Sequence, residues 1–475
     1  MTDDGRQTVE PAGGGGTAGG GTTGGDVHGR PLLAVARALL AEEPLCDACL
    51  GRPLADRGHG LTNAERGRAL RVAVSLAHDE PVTDGAGADC WVCEGVCADF
   101  AEWAERAADA LAGYEFDTYE VGTRVPPLLA ENARLLRESA GLPDDAGEPL
   151  QRELNREVGK RLGPRIDADV DRERPDVVAL LNLERGDVDA QVNPAFVYGR
   201  YRKLEREIPQ TEWPCRECGG SGTQLGPEGG NVDCEHCGGS GYLYDDSVEG
   251  LVAPHVREAM DGEDATFHGA GREDVDARML GTGRPFVVEV TEPRVRRPDL
   301  DAVAAAVEAE AADRVAVDDL RLATHEMVER VKELPASKRY RAAVAFDAPV
   351  GAEALAEAVE RLSGATIEQY TPERVDHRRA GKTRTRRVYD ASATREDARH
   401  ATVEVHGEGG LYVKELVSGD DGRTEPSLAG VLGVHATVTA LDVLAVEGED
   451  EPFDDPDYLL DDPADADPVA ADDDA

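Results

Sequence analysis

The stretch Ala270-Gly-Arg-Glu-Asp274-Val-Asp-Ala-Arg-Met-Leu-Gly-Thr-Gly-Arg-Pro-Phe286 concentrates more chemistry than any other part of the chain. Arg272, Glu273 and Asp274 follow Gly269-Ala270-Gly271, which predicts a loop. A glycine-broken turn then leads into the strand-like run Phe286-Val-Val-Glu-Val290. A carboxylate held in a tight loop at a sheet edge, beside arginines, can be kept ionised and aimed. That is the profile of a nucleophilic or general-base aspartate. It is equally the profile of a salt-bridged loop, and the segment alone does not separate the two.

The surroundings of this loop are strongly acidic. Of 475 residues, 96 are Asp or Glu and 51 are Lys or Arg, a net charge of −45. Only six of the basic residues are lysine. Acidity with lysine depletion suits a cytoplasm at molar salt, where a Debye length of about 3 Å screens self-repulsion. The charge therefore reads as a halophile's surface and not as evidence about a ligand. No apolar run of membrane-spanning length occurs, and the N-terminus lacks signal-peptide features, so a cytoplasmic protein is expected.

Outward from the loop, strands and helices alternate from about residue 250 to 447. Strands are expected at 286–290, 313–322, 340–347, 365–371, 385–391, 400–406, 411–417 and 435–446, and helices at 298–311 and 352–363. This predicts an α+β domain around a large, mostly antiparallel sheet flanked by helices. Residues 31–210 predict a separate α/β domain, with helices near 31–40, 63–78 and 98–112, strands at 116–121 and 177–183, and helix over 127–163 broken at 141–149. Residues 211–249 form a cysteine-rich insert between the two. A Gly- and Thr-rich segment, 1–30, and an acidic one, 448–475, are expected to be disordered.

Eight of nine cysteines lie in Cys-x-x-Cys pairs, a pattern that in a chain without an export signal favours metal over disulfides. Cys215, Cys218, Cys234 and Cys237 sit in a repeated Cys-x-x-Cys-Gly-Gly-Ser-Gly, with fifteen residues between the pairs. Two such pairs close a tetrahedral thiolate site. Cys46, Cys49, Cys90 and Cys93 form a looser set, in which Cys97 is an alternative ligand. One or two structural zinc ions are expected. Redox dithiols are the competing reading, and the repeat resembles half of the zinc module of the DnaJ chaperones.

Three further segments join the Asp274 loop. They are Lys338-Arg-Tyr340-Arg-Ala342, Gly410-Leu-Tyr412-Val-Lys414-Glu-Leu416, and the basic run Arg374-Val-Asp-His-Arg378-Arg379-Ala-Gly-Lys382-Thr-Arg384-Thr-Arg386-Arg387. The run holds seven cations and one acid in fourteen residues. Against the acidic background it reads as a phosphate-gripping loop. Together these segments resemble the ordered motifs of pseudouridine synthases. Gly-Arg-Glu-Asp-Val-Asp…Leu-Gly-Thr-Gly-Arg-Pro-Phe and Leu-Tyr-Val-Lys-Glu-Leu-Val-Ser-Gly-Asp-x-Gly-Arg-Thr-x-Pro-Ser resemble the archaeal and eukaryotic tenth family. Cys46-Asp-Ala-Cys-Leu-Gly-Arg52 resembles the opening of that family's zinc-containing, THUMP-type RNA-binding domain. The resemblance spans roughly 31–447. The duplicated cysteine repeat is longer than the family leads one to expect.

The resemblance implies a tRNA pseudouridine synthase whose archaeal relatives modify uridines 54 and 55. Asp274 would be the nucleophile, Lys414 its ion-pair partner and Arg272 a second cation. Tyr340 would stack on the flipped uracil, with Tyr412 and Leu416 lining the pocket. Arg374, Arg378, Arg379, Lys382, Arg384, Arg386 and Arg387 would hold tRNA. Asp276 would point away and serve the loop. Isomerisation needs no organic cofactor, and neither a membrane nor an obligate protein partner is implied. The competing reading is a non-catalytic, zinc-containing RNA-binding protein.

Overall fold

The computed structural model describes residues 26–226, 229–372 and 381–460. The chain divides into two units. One holds the chain up to Ala110 with 120–170 and 178–190, and the other holds 111–119, 171–177 and 191 onward.

In the first unit a short hairpin, β1 (Asp26–Val27) and β2 (Arg30–Pro31), precedes α1 (Leu32–Leu40), α2 (Asp47–Gly51), α3 (Asn63–His78) and α4 (Phe100–Leu111). A capping box starts α3: the Thr62 hydroxyl accepts from Glu65 N, and Glu65 accepts from Thr62 N. Then follow β3 (Thr118–Arg124), α5 (Pro127–Ser139), α6 (Leu150–Ile166), β4 (Asp169–Val170), β5 (Val177–Asn182) and β6 (Asp187–Val192). The strands form a sheet ordered β4-β3-β5-β6.

The second unit is built on a ten-stranded sheet. Its elements begin with β7 (Ala195–Lys203), the hairpin β8 (Thr223–Leu225) and β9 (Asn231–Asp233) outside the sheet, α7 (Val248–Ala259), β10 (Asp264–Gly269), β11 (Arg278–Thr291), α8 (Leu300–Ala311), β12 (Val315–Ala323) and α9 (Glu326–Glu333). They continue through β13 (Ala336–Phe346), α10 (Ala352–Leu362), β14 (Thr366–Tyr370), β15 (Thr383–Arg395), β16 (His400–Glu408), α11 (Val413–Ser418), β17 (Thr424–Glu425), α12 (Leu428–Leu432) and β18 (Ala436–Gly448). The order is β12-β7-β11-β18-β13-β16-β15-β14-β17, with β10 paired to β11. Every pairing in it is antiparallel except β11–β18. The α+β architecture read from the sequence is therefore the observed one.

Four sequence expectations change. Strand β11 starts at Arg278, not Phe286, so Gly281-Thr-Gly283 is a bend within the strand and not a turn before it. There the register to β7 shifts, from Met279–Lys203 to Arg284–Tyr201, as the strand crosses away from its pairing with β18 at Arg278–Met279. A Cβ on Gly281 would lie 2.0 Å from Leu444 O, so only glycine permits the crossing. Strand β7, placed by sequence in the N-terminal domain, is hydrogen-bonded between β11 and β12 and belongs to the large sheet. The expected strand over 411–417 is instead a helix, α11.

The fourth change concerns the acidic tail, whose first part is held. Phe453 is buried in the core, and Arg330 Nε donates to its carbonyl at 3.0 Å. At the other end, the hairpin β1–β2 begins within the segment expected to be disordered. Residues 1–25 and 461–475 lie outside the described residues.

Candidate functional site

The 270–277 loop joins β10 to β11 and is pinned from beneath by side chains. Arg284 donates to Ala270 O at 2.8 Å, Gln210 to Gly271 O at 2.8 Å and Lys203 to Val275 O at 3.2 Å. Glu273 turns down into this layer, where its side chain is 1% exposed. It pairs with Arg284 at 2.8 Å and Lys203 at 3.4 Å, and accepts from the Tyr201 hydroxyl at 3.0 Å. Burial by itself would raise the Glu273 pKa, but the charges of Arg284 and Lys203 override it and hold the carboxyl below its usual value. Burial pushes the Lys203 ammonium down, against the opposing pull of Glu273. The sequence reading missed Glu273, Arg284, Lys203, Tyr201 and Gln210. A signal was available in Glu273 and Arg284, which both lie within the 270–286 stretch.

Asp274, the next residue, is open where Glu273 is buried, though both border one cavity. That cavity has a volume of about 810 Å³. Tyr340, Tyr412, Lys414 and Arg272 line the same cavity, together with Lys338, Leu411, Val413, Leu441 and Val443. Three separate sequence motifs thus meet in one space. Lys414 Nζ lies 3.3 Å from Asp274 Oδ2 and 2.8 Å from Asp276 Oδ2. Asp276 does not point away, as the sequence suggested; the two carboxylates share one ammonium, and Asp276 is the nearer. The reason is local: Ala277 N donates to Asp274 O at 3.0 Å, closing a turn that turns both side chains toward α11.

Tyr340 is 9% exposed, and burial pushes its phenol up to about 12, with Arg284 opposing and the carboxylates of Asp274 and Glu273 adding. It therefore presents a neutral ring at neutral pH. The buried Tyr412 hydroxyl has no hydrogen-bond partner among the described residues and lines the cavity. A buried hydroxyl without a partner is costly unless something else supplies one, which suits it to a polar ligand. Leu416 is not part of the cavity wall. On a helix its side chain turns into the core, 1% exposed, and Leu411 and Val413 take the wall position instead.

Of the basic run, Arg374, Arg378 and Arg379 lie outside the described residues. Arg384, Arg386 and Arg387 lie on β15, with Lys382 just before it, and none of the four lines the cavity. Arg386 pairs with Glu408 at 3.2 Å. Its Nε would lie 3.3 Å from a Cβ on Gly410, a cavity residue, so this arginine approaches the cavity's edge from outside.

Both cysteine sets converge. In each, four Sγ atoms lie within 4.8 Å of one another. Cys46–Cys93, Cys215–Cys234 and Cys218–Cys237 are separated by 3.8, 3.9 and 3.8 Å. A tetrahedral zinc with bonds of about 2.3 Å requires sulfur separations of about 3.8 Å, so both donor sets fit that ion. Cys97 is not one of the four grouped thiols but abuts them: it interacts with Cys46, Cys49 and Cys93 and lies 3.6 Å from Arg52 Nη1. Arg52 is fully buried and donates to Cys49 Sγ at 3.1 Å and to Glu153 at 2.9 Å, tying the cluster to α6.

A family model described as Pus10, C-terminal, matches residues 196–447, and one described as the archaeal Pus10 THUMP domain matches residues 103–182. The chain belongs to the Pus10 family. Curated proteins named tRNA pseudouridine synthase Pus10 from Halorubrum lacusprofundi, Methanothrix thermoacetophila and Methanopyrus kandleri are similar to it at 64%, 43% and 40% identity. These alignments cover 89%, 88% and 84% of this chain and 98%, 95% and 94% of the relatives. Membership in the Pus10 family makes the chain an isomerase by class. The Halorubrum relative is that of a halophilic archaeon, in keeping with the acidic surface. The start of the Pus10 C-terminal match at residue 196 agrees with β7 belonging to the large sheet. Among the described residues no helix is long and apolar enough to cross a membrane.

Proposed function

We propose that this protein isomerises uridines 54 and 55 in the TΨC loop of tRNA to pseudouridine, with Asp274 as the nucleophile and in the cytoplasm. The observation that supports this reading is the meeting of Asp274, Tyr340, Tyr412 and Lys414 at one cavity.

The reaction breaks the N1–C1′ bond, turns the base and joins C5 to C1′. It gains and loses no electrons overall, but C5 gives up a proton and N1 takes one up, so the residues have to expose, hold and turn the base, open the N1–C1′ bond and let that proton pass. A uridine stacked in its loop is out of reach and must first swing out. The Tyr340 ring, neutral and buried, offers a stacking face, and the free Tyr412 hydroxyl offers a hydrogen bond to the base edge. Asp274 then supplies the attacking carboxylate oxygen, at the sugar or at the base. Lys414 balances its charge before attack and, through Asp276, stays in place while that charge is drawn into the new bond. The loop must not yield when the base turns, and the Glu273–Arg284–Lys203 layer provides that stiffness.

Zinc would be held by Cys46, Cys49, Cys90 and Cys93, and by Cys215, Cys218, Cys234 and Cys237. Four thiolates leave no open coordination position, so the ions would stabilise the fold. The 103–182 region would bind folded tRNA by its shape. Pseudouridine mapping in an unmodified tRNA transcript, incubated with the pure protein at high salt, tests the reading. Signal at 54 and 55 is expected, and signal only elsewhere, or none, overturns it.

A further inference from the structure

Two copies of one turn build the second cysteine cluster. Gly220 N donates to Cys215 O, and Gly239 N to Cys234 O, each at 3.2 Å. The Ser221 and Ser240 hydroxyls close onto Cys218 O and Cys237 O at 2.8 and 2.9 Å. The copies interlock: a Cβ on Gly222 or Gly241 would lie 2.3 or 2.4 Å from a carbonyl oxygen of the opposite turn. A stem carries them, with Leu243 N donating to Trp213 O at 2.9 Å and Trp213 meeting Tyr244 edge-on. Three residues before Trp213, Gln210 grips the catalytic loop at Gly271 O. The knuckle is thus a stiff unit fastened to the loop that carries Asp274.

The side chains that project from these turns have no evident part in folding. Arg216, from the first turn, and His236, from the second, are both exposed, and both line the cavity that holds Asp274, Tyr340 and Lys414. The cavity has five Lys or Arg residues: Arg216, Arg272, Arg284, Lys338 and Lys414. Arg284 is paired with Glu273 and Lys414 with Asp274 and Asp276, while Arg272 and Lys338 have interactions of their own. Arg216 is the one of the five with no partner among the described residues. In a chain with 96 acids to 51 bases, a cavity lined by five Lys or Arg and three Asp or Glu (Glu217, Glu273 and Asp274) reverses the overall balance. A nucleotide whose base enters this cavity leaves its ribose and flanking phosphates at the rim, which is where the knuckle stands.

We propose that the Cys215–Cys237 knuckle is a phosphate clamp for the RNA strand that delivers the target uridine. Arg216 binds a backbone phosphate next to the flipped nucleotide, and His236 packs beside the flanking nucleotide. This rests on the RNA-modifying reading of the Asp274 cavity and adds a second role to a metal site that otherwise only stabilises.

The test uses the full-length, metal-loaded protein with unmodified tRNA transcript, comparing wild type with Arg216→Ala, Arg216→Glu and Arg216→Lys. Arg216→Ala is expected to raise Kd and KM about tenfold, with a smaller change in kcat, and Arg216→Glu to raise them further. Arg216→Lys restores most of the affinity, because a point charge suffices for a phosphate. The slope of log affinity against log salt shrinks by about 0.7–0.9 in the alanine variant, the loss of one phosphate contact. Zinc content and Tm stay at wild-type values. Wild-type affinity and salt slope in Arg216→Glu overturn the proposal, as does a loss of affinity that follows loss of zinc. A wild-type protein that forms no pseudouridine defeats the reading of the site, whereas an active enzyme indifferent to Arg216→Glu defeats the clamp alone.

Discussion

Glu273 and Asp274 are neighbours in one loop and border one cavity, yet one side chain is buried and the other open. The underside is dry: Glu273, Arg284, Lys203, Tyr201 and Gln210 satisfy one another with almost no exposed surface. The rim is open: the Asp274 side chain is 36% exposed, Asp276 56% and Lys414 25%. Buried charges are rigid because each would be costly without its partner, while exposed ones can exchange partners at little cost. The loop uses the first property to hold its shape and the second to keep the Asp274 carboxylate exposed beside an exchangeable cation, as the proposed reaction requires. A stiff anchor one residue from a reactive group fixes its backbone without burying its side chain.

This contrast can be broken most severely from below. Glu273→Ala leaves two buried cations without a counter-ion and is expected to cost about 3–5 kcal/mol of stability, read as a lower Tm or urea midpoint of the second unit. An unchanged midpoint would mean that the underside is not the anchor. Next in size is Lys414→Met on the rim. If Asp274 attacks as proposed, removing the cation that faces it should lower kcat by about 100-fold, while stability changes by less than about 1 kcal/mol, as for a partly exposed pair.

Acid separates the two sides by a smaller, graded effect. The folded-state pKa of Glu273 lies below its ordinary value. Its contribution to stability is therefore complete above about pH 4.3 and is lost as pH falls through the depressed folded value. Stability below pH 4.3 should fall less steeply in Glu273→Gln, by up to about 1.4 kcal/mol per pH unit for the one missing proton. Equal slopes would show that Glu273 does not titrate differently on folding. The mildest change is Asp276→Asn. It leaves Lys414 to Asp274 alone and should alter stability by no more than about 1 kcal/mol and kcat/KM by less than about tenfold.

Chemistry was more legible in the sequence than geometry. Asp274, Tyr340, Tyr412 and Lys414 are each marked by a local motif, and they do meet at one cavity. The failures came where distant residues decide local structure. The segment from Tyr412 to Leu416 alternates like a strand, yet Gln369, over forty residues earlier, clasps Tyr412 from both sides. Its oxygen accepts from Tyr412 N and its amide donates to Tyr412 O, each at 2.9 Å. That grip ends the extended chain where α11 begins, and it sends Leu416 into the core. The early start of β11 depends on pairing with β18, 164 residues away at Arg278–Asp442. Cysteine spacing predicted both thiolate clusters but could not show that one of them stands beside Asp274.

The central claim is that Asp274 is the nucleophile of a site held from beneath by Glu273. Asp274→Asn keeps the shape of the side chain and removes its charge. With saturating unmodified tRNA at high salt, the account predicts that this variant binds the transcript with near wild-type affinity and forms no pseudouridine. Pseudouridine formed at the wild-type rate by Asp274→Asn would contradict it.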